Sequence, residues 1–232
     1  MKELNEIAVI VQARLSSERC PRKMVRPFGG STLTEVTLQK LLSSSYIPSQ
    51  NIYLSAHEPA LVEIGQKVGA NIFQRSLASA LWDGGPDAKL VGMYEWWNEI
   101  PFQYVVLINA CTPFLKIESI ENFIKAYMKS PSRGMFAVME KKNYFWDEEG
   151  NFLTPLRDAA MNTKNVQLTY EAAHCLYASR MDSIGEGIWM GDFNTPGDIE
   201  LFPIHERECY DIDYEWEFEL YEKMYQSFEK DK

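Results

Sequence analysis

The chain alternates short apolar runs with longer stretches in which apolar residues return every three or four positions. In order these are IAVIV then TLTEVTLQKLLSSS, NIYLSA then PALVEIGQKVGA, NIF then DAKLVGMYEWWNEI, and YVVLINA then IESIENFIKAYM. A short continuous apolar run between polar residues marks a strand buried on both faces. Helical spacing is plain at Leu33, Val36 and Leu41, and again at Ile117, Ile120, Phe123 and Ile124. Strand and helix in turn predict a parallel sheet covered by helices on both sides. In such sheets ligands gather beyond the carboxyl ends of the strands, where QARLSSERCPRK and NACTPFLK both fall.

The rhythm breaks over residues 133–180. GMFAVM reads as another strand, but EKKNYFWDEEGNFLTPL and NTKNVQLTYEAAHCLYA read as short strands joined by turns, with no covering helix between them. This span is expected to be an insertion that serves as a lid, a dimerisation arm, or both. After the turn-rich GDFNTPGD come a strand, IELFPI, and a closing helix in the second part of CYDIDYEWEFELYEKMYQSF. The whole of 1–232 is expected to be a single domain.

Composition narrows the function. With 232 residues, 46% of them hydrophobic, the chain can bury a sizeable core. The apolar run at residues 7–11 is far shorter than a signal-peptide core and no segment reaches membrane-spanning length, so a cytoplasmic protein without a membrane partner is expected. Cys20, Cys111, Cys175 and Cys209 lie far apart, with no CxxC pair and no zinc spacing, and are expected as reduced thiols. Asp and Glu number 33 against 23 Lys and Arg, and a net charge of −10 argues against a nucleic-acid partner. A small anionic ligand needs only a local knot of cations, which Arg14, Arg19, Arg22, Lys23 and Arg26 provide. A strand that ends in such a loop can wrap a polyphosphate with backbone amides and side-chain charge together. Neither GxxxxGK[ST] nor GxGxxG is present, and no GxSxG or HExxH occurs. His57, His174 and His205 have no neighbouring nucleophile motif, and the Trp96–Trp97 pair follows helical spacing, which points to packing.

The order of residues in AVIVQARLSSERCPRKMVRPFGGSTL says more. It resembles the opening of the acylneuraminate cytidylyltransferase family, a strand followed by A-R-x-x-S-K-R-L-P-x-K-N. Ala13, Arg14, Ser17, Arg19, Pro21 and Lys23 match without a gap. VQAR also resembles the spore-coat polysaccharide branch of the same superfamily. The resemblance implies that this loop, Ala13 included, binds CTP, with phosphate contacts for Arg14, Ser17, Arg19 and Lys23. A second match, YDIDYEWEFELYEKM, resembles the family's D-I-D-x-x-x-D-x-x-x-A-E segment, whose aspartates bind magnesium. In an extended segment, alternation puts Asp211 and Asp213 on one face and turns Ile212 to the core. Paired hard oxygens suit Mg2+, although an acidic turn before a helix is also where an N-cap aspartate sits.

A third match, VVLINACTPFLKIESIENFI, is similar to the family's L-Q-P-T-S-P-L-R, with Asn109 at the glutamine that contacts nucleotide and sugar. Arg75 in NIFQRSLAS corresponds to an arginine that donates to the cytosine edge, and Gln74 is the alternative for that role. The sequence also departs from the pattern. Glu18 replaces a lysine and Met24 an asparagine, while TYEAAHCLY puts Glu171 where an arginine would meet a sugar carboxylate. Either Lys141, Lys142 or Lys164 compensates, or the acceptor is not a typical nonulosonic acid. Glu171, His174 and Asn109 fall in the stretches that would bind the acceptor.

The resemblance thus implies an α/β fold: a three-layer, Rossmann-like nucleotidyltransferase with a mostly parallel sheet, helices on both faces and a small β-rich insertion. It implies a homodimer that transfers CMP from CTP to an acidic or amino sugar acceptor. Arg14, Lys23 and Asp211 would carry the chemistry, and Asp211 and Asp213 would hold the metal. A sugar phosphate or phosphonate acceptor, or a catalytically weakened nucleotide-binding module, are the alternatives.

Overall fold

In the computed structural model, which describes residues 1–82, 89–154 and 162–230, the apolar runs become strands of one seven-stranded sheet. Strands β1 (Ile7–Gln12), β2 (Ile52–Ala56), β3 (Asn71–Gln74) and β4 (Tyr104–Ile108) are parallel and lie side by side as β3-β2-β1-β4. Beyond β4 come β6 (Thr169–Arg180), β5 (Gly134–Lys141) and β7 (Ile199–Pro203). β6 is antiparallel to both β4 and β5, whereas β7 pairs parallel with β5. The sheet is therefore mostly parallel, as expected.

Strict alternation along the strands explains the unbroken apolar runs. On β1, Ile7, Val9 and Val11 face one core while Ala8 and Ile10 face the other, and on β4 Val106 and Ile108 oppose Val105 and Leu107 in the same way. The first face is covered by α1 (Leu33–Leu42), α2 (Pro59–Val68) and α5 (Ile117–Lys129), through Leu38, Leu41, Leu61, Ile120 and Phe123. Local signals set their ends. The Thr32 hydroxyl accepts the Glu35 N–H at 3.1 Å to start α1, and Gly69, at φ +86°, ends α2 in the left-handed conformation. The second face is covered by shorter pieces, α4 (Leu90–Met93), a 3-10 turn at Glu95–Asn98 and α6 (Met181–Gly185), with α3 (Leu77–Ala80) packed against α4. Helix α7 (Glu215–Lys230) closes the chain over a third small core of Cys20, Phe28, Leu33, Ile212 and Phe218.

Two expectations need correction. DAKLVGMYEWWNEI, whose start lies outside the described residues, is not one helix. Tyr94 leaves helical geometry at φ −111°, ψ 53°, and the chain turns so that Trp96 is fully buried and donates its indole N–H to Gln12 Oε1 at 2.9 Å. Likewise NTKNVQLTYEAAHCLYA feeds one 12-residue strand that is central to the sheet, not short strands on an insertion. Phe136 pairs with Tyr177 but Val138 with Ala172, so residues 173–176 of β6 all face Ala137. This bulge resets the in-out alternation and hides the strand from a period-two reading. Of the 133–180 span, residues 142–154 and 162–168 lie outside the sheet. Residues 155–161 of it lie outside the described residues, and 143–154 carry one isolated bridge, Trp146 to Phe152.

The start of β5 also rests on a close approach. A Cβ at Gly134 would lie 2.1 Å from Met190 O and 2.7 Å from Ala178 O. Both are backbone atoms, so relief requires the chain to move. Gly134→Ala is expected to lower stability by about 3 kcal/mol in urea unfolding. An unchanged midpoint would contradict this packing.

Candidate active site

The first loop is folded by contacts of its own before it could meet any ligand. At the end of β1, the Ala13 N–H donates to Ser55 O at 3.0 Å, and two residues on the Leu15 N–H donates to Glu58 Oε1 at 2.8 Å. Ser17 Oγ accepts the Cys20 N–H at 3.4 Å, so this hydroxyl is partly engaged in shaping the turn. Arg22 takes up φ +56°. Arg26 forms a two-pronged pair with Glu215, at 2.8 and 2.6 Å, and lies 4.1 Å above the Phe218 ring. That clamp brings the start of α7, and the segment before it, against the loop.

Asp211, Ile212 and Asp213 alternate as the sequence predicts. Ile212 is fully buried and its N–H donates to Cys111 O at 3.0 Å. Asp213 receives Arg19 Nη2 at 2.9 Å and Lys23 Nζ at 3.3 Å, and Lys23 also donates to Ile212 O. Lys23 is buried. Burial pulls its pKa down, but Cys111, Asp211 and Asp213 together hold it above the usual value. Asp213 is not the cap of α7: Glu217 Oε2 takes the N–H groups of Asp213 and Tyr214, at 2.7 and 2.8 Å.

Asp211 is held differently. Its Oδ2 accepts from Asn109 Nδ2 at 3.2 Å, while Oδ1 is buried without a hydrogen-bond partner. Burial first, then the charge of Asp213, raises its pKa. A buried anionic oxygen with no donor is the kind of atom a cation satisfies, and two hard carboxylates suit magnesium, which completes its shell with water and substrate oxygens. Among the described residues no group of three or more His, Cys, Asp or Glu is placed to hold a metal, so such a site would depend on substrate oxygens.

Beside these carboxylates, across the carboxyl ends of β1 and β4, lies a cleft of 370 Å³ lined by residues that include Gln12, Ala13, Arg14, Arg75, Tyr94, Asn109 and Tyr177. Arg75 is buried, donates Nη2 to Ser79 O at 2.5 Å and keeps its Nε–H without a partner. Burial lowers its pKa, opposed by Glu58. Gln74 is absent from the cleft lining and donates to Ala56 O and His57 O, so of the two candidates Arg75 is the one in the cleft. Arg14 donates to Trp82 O at 2.9 Å and so stands on the Arg75 side, apart from Arg19 and Lys23. Asn109 joins the two halves, since it lines the cleft and holds Asp211. Two larger hollows, of 500 Å³ near Lys2, Arg133 and Arg180 and of 670 Å³ near Val36, Phe114 and Phe228, contain none of the candidate residues.

Of the acceptor candidates, His174 is brought to the site and Glu171 is not. His174 sits on the β6 bulge at φ +50°, gives its carbonyl to Asn109 Nδ2 at 3.0 Å and has Nδ1 3.3 Å from the Tyr177 hydroxyl. Glu171 is absent from the cleft lining and pairs at 3.3 Å with Lys141, which also binds Glu206. Lys141 is thus the compensating lysine of the three. Met24 is buried with its sulfur 3.8 Å from Cys111 Sγ, a packing role where a polar contact is the family pattern. His57 Nδ1 lies 3.1 Å from Arg75 O and His205 Nδ1 accepts from the Arg207 N–H, both structural arrangements. Tyr94, Tyr177 and Glu58 were not foreseen. They reach the site through packing between distant elements, and no local motif marks them.

A family model described as cytidylyltransferase matches residues 8–227. No curated protein matches the chain by sequence. Among solved structures, a CMP:2-keto-3-deoxy-manno-octonic acid synthetase complexed with CTP is similar at 11% identity and TM-score 0.70, covering 98% of this chain and all of that one. A 4-diphosphocytidyl-2C-methyl-D-erythritol synthase from Anaerococcus prevotii gives 15% identity and TM-score 0.62, covering 97% and 96%. A cytidylyltransferase from Leptospira borgpetersenii serovar Hardjo-bovis gives 14% and 0.61, covering 94% and 85%. At these identities the likeness is one of fold. Among the described residues no helix is long and apolar enough to cross a membrane.

Burial and the charge of Asp213 disfavour the ionised form of Asp211 more than nearby Lys23 favours it, so removing its charge should not weaken the fold. Asp211→Asn is expected to match or exceed the parent protein's stability at neutral pH, by up to about 1 kcal/mol. A clear loss in urea unfolding would show that the ionised carboxylate is a structural necessity.

Proposed function

The chain belongs to the cytidylyltransferase family, and on that premise we propose that it transfers CMP from CTP to a hydroxyl of an acidic or amino sugar-like acceptor, releasing pyrophosphate. The observation that carries this reading is the meeting of Arg19 and Lys23 with Asp213, beside a cleft that holds Arg14, Arg75 and Asn109. The acceptor oxygen attacks the α-phosphorus in line. Its new bond to phosphorus forms as the bond to the β-phosphate oxygen breaks, and the hydroxyl proton leaves to solvent. Positioning and charge neutralisation are the protein's share of such a reaction.

In this reading Arg14, Arg19 and Lys23, with Ser17, receive the β- and γ-phosphates and stabilise the leaving pyrophosphate. Arg19 and Lys23 exchange Asp213 for phosphate oxygens, which carry more charge. Arg75, which lines the cleft, donates to the cytosine edge. Asp211 and Asp213 would hold Mg2+, which supplies positive charge at the α-phosphate and the attacking oxygen. Because Glu171 lies outside the cleft lining and is turned to Lys141, its charge does not face an acidic acceptor there, and His174 and Tyr177 remain to bind it. A phosphate or phosphonate acceptor is less well supported, since Lys141 is already shared by two glutamates. The same reading includes a homodimer formed through residues 142–154, where Trp146 and Phe152 are packed on each other yet 53% and 40% exposed.

With CTP, magnesium and a panel of acidic and amino sugars, pyrophosphate release is expected, falling about 10³-fold or more in Asp211→Ala with the fold intact. Arg75→Met should raise the CTP KM about tenfold or more through the lost charged donor. If neither CTP nor any other nucleoside triphosphate binds at millimolar concentration, the reading is wrong. Sedimentation should give a dimer that Trp146→Asp converts to monomer; a monomeric parent protein would remove the dimer.

A further inference from the structure

We infer that Asn109 is a positioning residue that acts through Asp211, aiming this carboxylate at the divalent ion, and that it does not read the nucleotide or the acceptor itself. The inference rests on the reading above, in which Asp211 holds the metal.

The bonding of Asn109 leaves little for a substrate. A carboxamide has two N–H donors and one oxygen acceptor. Both donors are used, one on His174 O at 3.0 Å and one on Asp211 Oδ2 at 3.2 Å, and the oxygen accepts the Cys111 N–H at 2.9 Å. The backbone of Asn109 is fixed as well. Its N–H donates to Cys175 O at 3.0 Å and its carbonyl accepts the Thr112 hydroxyl at 2.7 Å. The chain also spends conformational energy on this arrangement: His174 occupies φ +50°, costly for a residue with a Cβ, on the bulge that brings its carbonyl over Asn109.

The consequence falls on Asp211. With Oδ2 tied to an immobile amide, the carboxylate has one orientation, and Oδ1 is left buried and without a donor. A ligand carboxylate fixed in this way binds a hard cation without first losing rotational freedom, and outer partners of this kind are typically worth 10- to 100-fold in metal affinity.

The test titrates Mn2+ into the protein saturated with CTP, reading free Mn2+ by electron paramagnetic resonance, and measures CTP affinity separately in EDTA. Asn109→Ala is expected to weaken Mn2+ roughly 10- to 100-fold while leaving metal-free CTP affinity within roughly twofold. Asn109→Leu, closer in volume, should do the same and serves if the alanine variant does not fold. Asp211→Asn should lose Mn2+ affinity by itself, and adding Asn109→Ala to it should cost nothing more, the mark of a residue acting through another. If Asn109→Ala weakens metal-free CTP binding and spares Mn2+, Asn109 contacts the nucleotide and the inference is overturned. It is also overturned if the two losses add. If Asp211→Asn keeps full Mn2+ affinity, the metal assignment itself fails.

Discussion

The structure depends on one electrostatic constraint, the meeting of a buried ammonium with carboxylates from the far end of the chain. Lys23 is 9% exposed and would be costly there alone. Asp213, 190 positions later, and the carbonyl of Ile212 compensate it. The match is enforced by packing, because Ile212 must be buried among Cys20, Phe28, Leu33 and Phe218, and the Arg26–Glu215 pair draws α7 onto the loop. Once Ile212 is buried, alternation leaves Asp211 and Asp213 with no choice but to face the cations. The charge cluster is thus a product of the core beneath it.

The sheet sets where this cluster stands. Parallel β1 and β4 end side by side, so the loops after Gln12 and Ile108 open at the same edge. The antiparallel β6 then passes that edge and bulges at 173–176, bringing His174 and Tyr177 to it. Asn109, the first residue beyond β4, bonds to both the bulge and Asp211. A floor from the first half of the sheet, a wall from β6 and a charged rim from the two chain segments make up the candidate site, and each is held by contacts within the protein.

Much of this was legible in the sequence, and the exceptions have physical causes. Strands β1, β2 and β4 announce themselves because burial on both faces demands unbroken apolar runs. The cations of residues 14–26 stand out against a strongly acidic chain, and the Asp-Ile-Asp alternation predicts its own geometry. Their individual fates do not follow from spacing: Arg26 is neutralised by Glu215, while Arg14 turns to Trp82. β6 was hidden because its bulge breaks the period-two pattern. The partner of Glu171 is Lys141, diagonal to it across β5 and β6, a pairing that sequence spacing does not show. Tyr94 and Tyr177 line the cleft through contacts between elements that lie far apart in the chain, which no local pattern encodes.

The most direct measurement of the central claim is a crystal structure of the protein with CTP and magnesium. The account predicts the triphosphate between the 14–23 loop and the Asp211–Asp213 segment, with Arg19 and Lys23 on phosphate oxygens and the cytosine edge at Arg75. Nucleotide seated instead in the hollow near Lys2, Arg133 and Arg180, with Lys23 still bound to Asp213, would contradict it.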